Sequence, residues 1–185
     1  FWLLQRLVKL GYSERTLSEN LWLTGMFAFG TVHFYSTVFG QVWYTAHVVG
    51  VALTALYALA AIEGRHLYLA GLFLGLGFVT RTPIPFSIGL VFGEVLRRHL
   101  APAAADAPAP DPHRRPPLYQ WVRELWPRVR LKPVIIDMLK VGLPIVAVAG
   151  VAMIFNSIRF DNPAEFGHTF LNVKWSARIQ RWGLF

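Results

Sequence analysis

VWYTAHVVGVALTALYALAAI, residues 42–62, carries no formal charge. As an α-helix rising 1.5 Å per residue it covers roughly 30 Å, about one bilayer hydrocarbon core. That length and polarity predict a transmembrane helix. The flanking sequence repeats the pattern. Residues 1–10, FWLLQRLVKL, read as the end of a first span, with Arg6 and Lys9 near its exit. Residues 21–34 form a second apolar run that extends to Phe39 before Gly40 and Gln41 break it. Ser18 stands where a helix cap would precede that run. Residues 134–156 form a last apolar run. The expected fold class is all-α, a polytopic transmembrane helix bundle with at least four hydrophobic spans.

Composition supports this reading. Hydrophobic residues make up 55% of the 185-residue chain and charged residues only 15%, against about 25% charged in soluble domains. The net charge of +8 would suggest nucleic acid in a soluble protein. Here the cations lie in and around the loops, as membrane topology requires, so no nucleic-acid partner is expected. The absence of cysteine excludes disulfides, thiolate metal sites and cysteine nucleophiles. Phe1 stands inside an apolar run, and the chain ends at Phe185 without terminal character. An internal piece of a longer protein, without a signal peptide, is therefore expected.

Four regions follow. Residues 1–96 hold membrane helices, and residues 97–133 form a basic, Pro/Ala-rich cytoplasmic loop. Residues 134–156 are a further span, and residues 157–185 an outer-face segment. Within 68–96 two apolar pieces flank Arg81-Thr82-Pro83, each only about 20 Å long as a helix. They are either one kinked span or two short helices turning back. Within the loop, Leu118, Trp121, Val122 and Leu125 share one helical face. They predict an amphipathic helix on the membrane surface, or else a solvated connector. Arg97, Arg98, Arg114, Arg115, Arg123, Arg128, Arg130 and Lys132 face only Asp106, Asp111 and Glu124. The positive-inside rule places this loop in the cytoplasm. The turns at 11–20 and 63–67 share that side if 68–96 goes out and back, which favours two short helices. Residues 35–41, the Arg81 turn and 157–185 then face outward, although 157–185 carries four cations of its own, Arg159, Lys174, Arg178 and Arg181.

Polar groups in a bilayer are costly and ask for a reason. His33, Tyr35, Gln41 and His47, then Arg81, then Arg159, Asp161, Glu165 and His168 would all gather at the outer face. Arg81, before Pro83 and Pro85, sits at a helix break whose backbone must be satisfied by protein or a cavity. Its planar fork suits phosphate oxygens; alternatively it snorkels to the headgroups. His47 is either a helix–helix hydrogen-bond partner or a ligand group. Phe34, Tyr35, Trp43 and Tyr44 form an interfacial belt or a sugar-stacking surface. The histidines lack zinc-ligand spacing, so no metal is expected. Gly71, Gly75 and Gly77 lack the strand that a dinucleotide fingerprint needs, and read as small residues for close helix packing.

Two passages carry a family resemblance. AFGTVHFYSTVFGQVWYTAHVVGVAL (28–53), with AGLFLGLGFVTRTPIPFSIGLVF (70–92), resembles bacterial membrane proteins of the GT-C glycosyltransferase superfamily, the protein O-mannosyltransferase relatives above all. FNSIRFDNPAEFGHTF (155–170) is similar to the N-x-x-R-F-G-N-P-x-E-F-G-Y segment after a late span. Asn156, Arg159, Phe160, Asn162, Pro163, Glu165, Phe166 and Gly167 match it. Asp161 replaces the usual Gly, and His168 the aromatic residue. The resemblance implies a multi-pass protein of the bacterial inner membrane. It would move a sugar from a polyprenyl-phosphate donor to an unidentified acceptor at the outer face, with no cofactor. It implies Arg81, His33, Tyr35, Gln41, Arg159, Asp161, Glu165 and His168 as lipid-phosphate or sugar contacts. It also implies a catalytic acid in an outer loop toward the family's N-terminus, not within these residues. A transporter or flippase of lipid-linked or anionic substrates is the alternative, since broken helices with a cation suit that class.

Overall fold

The computed structural model describes residues 1–101, 123 and 126–165. The Ala/Pro-rich stretch, the helical face of Leu118 to Leu125, and the tail beyond Glu165, His168 included, lie outside the described residues. The described residues form seven α-helices and no strand: α1 Trp2–Lys9, α2 Leu17–Gly30, α3 Val32–Phe39, α4 Val42–Ala61, α5 Leu67–Thr80, α6 Ile88–Arg98 and α7 Leu131–Phe160. The all-helical expectation holds. Two helices, Val42–Gly64 with its closing 3-10 turn and Leu131–Phe160, are long and apolar enough to cross a membrane.

The other apolar runs are broken, each for a local reason. The expected span over 21–39 is two helices. Thr31 is extended (φ −123°, ψ 174°) between them. Its hydroxyl donates to the Phe27 carbonyl at 2.7 Å and accepts from the His33 N–H at 3.2 Å. A hydroxyl that bonds nearby backbone competes with the helix ladder and favours a cap. The cap of α2 is Thr16 rather than Ser18. Its hydroxyl accepts from Glu19 N–H while Glu19 Oε2 accepts from Thr16 N–H at 2.7 Å, a reciprocal capping box. These bonds to Thr16 hold the exposed Glu19 carboxyl below the usual carboxylate range.

Residues 68–96 are two helices, not one kinked span. Helix α5 packs between α4 and α7, and glycines set its distance from α7. A Cβ on Gly71 would overlap the Val141 carbonyl oxygen and lie 2.9 Å from its carbon; one on Gly75 would lie 3.2 Å from Ile145 Cα. The advance from Gly71–Val141 to Gly75–Ile145 shows that α5 and α7 run parallel. Helix α6 returns toward the start of α5, where Arg98 Nη1 donates to the Gly64 carbonyl at 2.9 Å. The core is Tyr57, Ala60 and Ala61 of α4, Leu67, Ala70 and Leu74 of α5, Val91 and Val95 of α6, and Val134 and Val141 of α7.

Tyr57, 1% exposed, stitches the broken segment to α4. Its hydroxyl donates to the Ser87 carbonyl at 2.6 Å and accepts from Val91 N–H at 3.1 Å. Ser87 is the N-cap of α6 and Val91 the fourth residue after it, so the hydroxyl bridges the carbonyl and the N–H that open the helix. Tyr57→Phe removes both hydrogen bonds of this buried hydroxyl, and should cost about 1–3 kcal/mol. Thermal unfolding in detergent checks it, with exposed Tyr68→Phe as the unaffected control.

One end of the bundle collects the charges. Arg6 of α1 pairs with Glu63. Glu94 Oε2 accepts from the Glu63 N–H at 2.9 Å and from Arg97 Nη2 at 2.8 Å. Asp137 of α7 meets His99 at 2.8 Å and Lys140 at 2.6 Å. The end of α1, the 62–66 turn, the end of α6 and the start of α7 therefore share one side, as the out-and-back arrangement expects.

Candidate functional site

Helix α5 stops at Thr80 because Pro83 and Pro85 cannot donate backbone hydrogen bonds and the residue before a proline avoids helical geometry. Arg81 is extended (φ −151°, ψ 117°). Its N–H still bonds the Gly77 carbonyl at 2.8 Å, and its carbonyl accepts from Ile84 N–H at 3.1 Å. Glycines admit the returning chain. A Cβ on Gly77 would lie 2.6 Å from Ile84 Cγ2, and one on Gly50 would lie 3.3 Å from Ile84 Cδ1 and 3.5 Å from Arg81 Cγ. The Arg81 stem thus lies across the bare backbone of α4.

The turn borders a groove of about 520 Å³ between α1, α2 and α4, where Leu3, Phe27, Val51 and Ala55 supply apolar wall and His47 and Arg81 the charge-bearing groups. Among the described residues no carboxylate lines it. Among the described residues the Arg81 guanidinium has no ion-pair partner. The Arg81 stem meets α4 at Gly50, about 12 Å along the helix from Val42. Fourteen residues, about 21 Å, are too few for α5 to match the full length of α4. The turn therefore ends part-way along the bundle.

The other expected site residues divide. His33 is half-buried and its ring stacks on Phe27 at 5.0 Å, which puts it at the groove's rim. Tyr35 is exposed, edge-on to Tyr44 at 5.5 Å and beside Phe39 at 4.5 Å. Gln41 is exposed at the start of α4, where its carbonyl accepts from Thr45 N–H at 2.8 Å. Tyr35 and Gln41 do not line the groove.

The second matched passage closes α7 instead. Arg159 is exposed, its guanidinium carbon 5.1 Å from the Phe160 ring centre. Asp161 ends the helix in the left-handed region at φ 55°, and Glu165 N–H bonds the Asn162 carbonyl at 3.2 Å. Asn156, buried, donates from Nδ2 to the Pro163 carbonyl at 3.4 Å. Arg159, Asp161 and Glu165 do not line the Arg81 groove. The asparagine and proline of the motif hold a turn, which is reason enough for their pattern.

Two features escaped the sequence reading. Tyr57 looked like one more apolar position. Asp137 and Lys140 lie within an apolar stretch, and their acid–base spacing of three residues was a readable signal. Among the described residues no group of three or more His, Asp or Glu could hold a metal ion. Comparison with protein-family models finds no match, and neither do comparisons with curated proteins and with solved structures.

Proposed function

We propose that the chain belongs to a multi-pass protein of the bacterial inner membrane, a glycosyltransferase that takes its sugar from a polyprenyl-phosphate donor. The membrane part rests on α7. Its 30 residues measure about 45 Å, and only 6% of its most apolar stretch is buried. Leu139, Leu143, Val146, Ile154 and Ile158 stand bare along it. A core helix of a soluble protein would be mostly covered; a lipid-facing helix would not.

The observation that carries the substrate class is a guanidinium without an ion-pair partner at the edge of an apolar groove. A polyprenyl chain is apolar and its phosphate anionic, so one ligand satisfies both halves. In transfer, an acceptor oxygen bonds to the sugar's anomeric carbon as the bond from that carbon to phosphate oxygen breaks. Charge develops on the departing phosphate, where Arg81 is placed to stabilise it. His47 can hydrogen-bond the sugar. Among the described residues the groove has no carboxylate to take the acceptor's proton, which leaves that role to an acid in an outer loop elsewhere in such a protein.

Full-length protein reconstituted with a polyprenyl-phosphate hexose should release polyprenyl phosphate and pass the hexose to an acceptor. Movement of the intact lipid between leaflets without sugar release would instead assign a flippase. That result, or the absence of any sugar release, would overturn the transferase reading.

A further inference from the structure

At the charged end of the bundle, separate elements bring cations to one hollow. Arg65 comes from the turn after α4, Arg98 ends α6, and Lys140 comes from α7. With Gly64, His66 and Tyr68 they border a cavity of about 440 Å³. Arg65 and His66 are exposed, and among the described residues Arg65 has no ion pair. Arg98 is steadied by the Gly64 carbonyl, leaving the rest of its fork free to donate.

Among the described residues no acid lines this cavity. Of the neighbouring acids, Glu63 is paired with Arg6 and Glu94 with Arg97, and Asp137 lies 3.9 Å from Arg98 Nη1. Its side chain is 7% exposed and its oxygens are already taken by Lys140 and His99. With Glu63 and Glu94 neutralised by Arg6 and Arg97, Asp137 against Arg65, Arg98 and Lys140 leaves an excess of positive charge. The positive end of the α5 dipole adds to the same field. Guanidinium forks and an ammonium together suit phosphate oxygens.

The surroundings narrow the ligand. Tyr68 and Leu69 of α5 and Leu139 and Leu143 of α7, the residues beside these cations in sequence, are exposed apolar surface. A soluble phosphate gains nothing from such a wall, whereas acyl chains do. Basic hollows between helices at the cytoplasmic end of a bundle suit acidic lipid headgroups. We propose that this hollow binds the phosphate-bearing headgroup of an anionic lipid, its chains lying against α5 and α7. The inference rests on the membrane reading above. It concerns the opposite end of the bundle from Arg81, and a structural rather than a donor lipid. Inorganic phosphate offers the same oxygens without chains, and the test separates the two sources.

The full-length protein is placed in nanodiscs of phosphatidylcholine with a minor share of phosphatidylglycerol, released, and its retained lipid read by native mass spectrometry. Phosphatidylglycerol should be kept in preference to phosphatidylcholine. Arg65→Ala should weaken that retention about fivefold, the effect of one basic residue at an anionic surface. Arg65→Lys should keep most of it, and Lys9→Ala, an exposed cation of α1 outside the hollow, should leave it unchanged. Circular dichroism confirms that each variant keeps its helix content. Equal retention of both lipids, or retention indifferent to Arg65→Ala, overturns the proposal. Displacement by millimolar inorganic phosphate assigns the hollow to a soluble phosphate and overturns the lipid assignment. Failure of the wild type to enter nanodiscs sinks the membrane reading itself; normal entry without lipid selectivity sinks the headgroup site alone.

Discussion

Gly71→Ala should destabilise the bundle by about 3 kcal/mol or more, the upper end of what overpacking costs. The clash is with backbone, not with a side chain that can rotate away. A methyl group at this position would overlap the Val141 carbonyl oxygen, so α5 and α7 must move apart along their contact. Separation would also disturb Gly75 against Ile145 and Val148. Close approach through small residues is the main attraction between helices where lipid removes the hydrophobic driving force, so little else compensates. Gly93→Ala is the control: it lies within α6 and meets nothing within 4 Å. That change should be neutral or stabilising by up to about 1 kcal/mol, as for a helix-interior glycine. Thermal unfolding of both variants in the same detergent decides the matter. A Gly71→Ala protein as stable as Gly93→Ala would mean that the two helices do not meet at Val141.

Arg81→Ala should lower sugar transfer by the full-length protein about 100- to 1,000-fold, the loss seen when one group stabilising developing charge is removed. Folding should change little. Among the described residues its guanidinium has no ion pair to lose, and substitutions away from such features stay within about 0.5 kcal/mol. The stem does contact the space over Gly50, so a small packing loss is expected. Arg81→Lys should fall between the two, since it keeps the charge and loses the fork. Turnover and thermal stability are measured on the same preparations. Full turnover with the alanine variant would remove Arg81 from the chemistry; equal loss of turnover and stability would make it a structural residue.

The four-span expectation illustrates how composition and conformation diverge. Residues 21–39 are apolar throughout their first part, and hydropathy alone reads one helix. The break at Thr31 depends on a hydroxyl finding backbone partners at both Phe27 and His33, a choice that an apolar count does not register. The proline turn after Arg81 was readable, because proline removes donors wherever it stands. Its depth was not, because depth depends on how far α5 slides along α4. The site residues followed the same division. Arg81 and the nearby histidines were singled out by being polar among apolar neighbours. The shared outer-face grouping with Arg159, Asp161 and Glu165 was an inference from topology; those residues close α7 and do not line the Arg81 groove.

By itself the sequence determined that this chain is helical, that 42–62 and the run beginning near 134 are long and apolar enough to cross a membrane, and that Gly71 and Gly75 serve packing. Each of these follows from residues close along the chain: length, polarity, proline and glycine act locally. Only the tertiary structure decided that Tyr57 caps the broken segment, that Arg81 meets His47 across a groove, and that Asp137 gathers cations from two helices. Apart from Lys140, three residues from Asp137, those groups are far apart in sequence, and nothing local marks them as partners. They meet because α5 lies between α4 and α7 at a distance its glycines allow, and that packing sets which polar groups must satisfy one another.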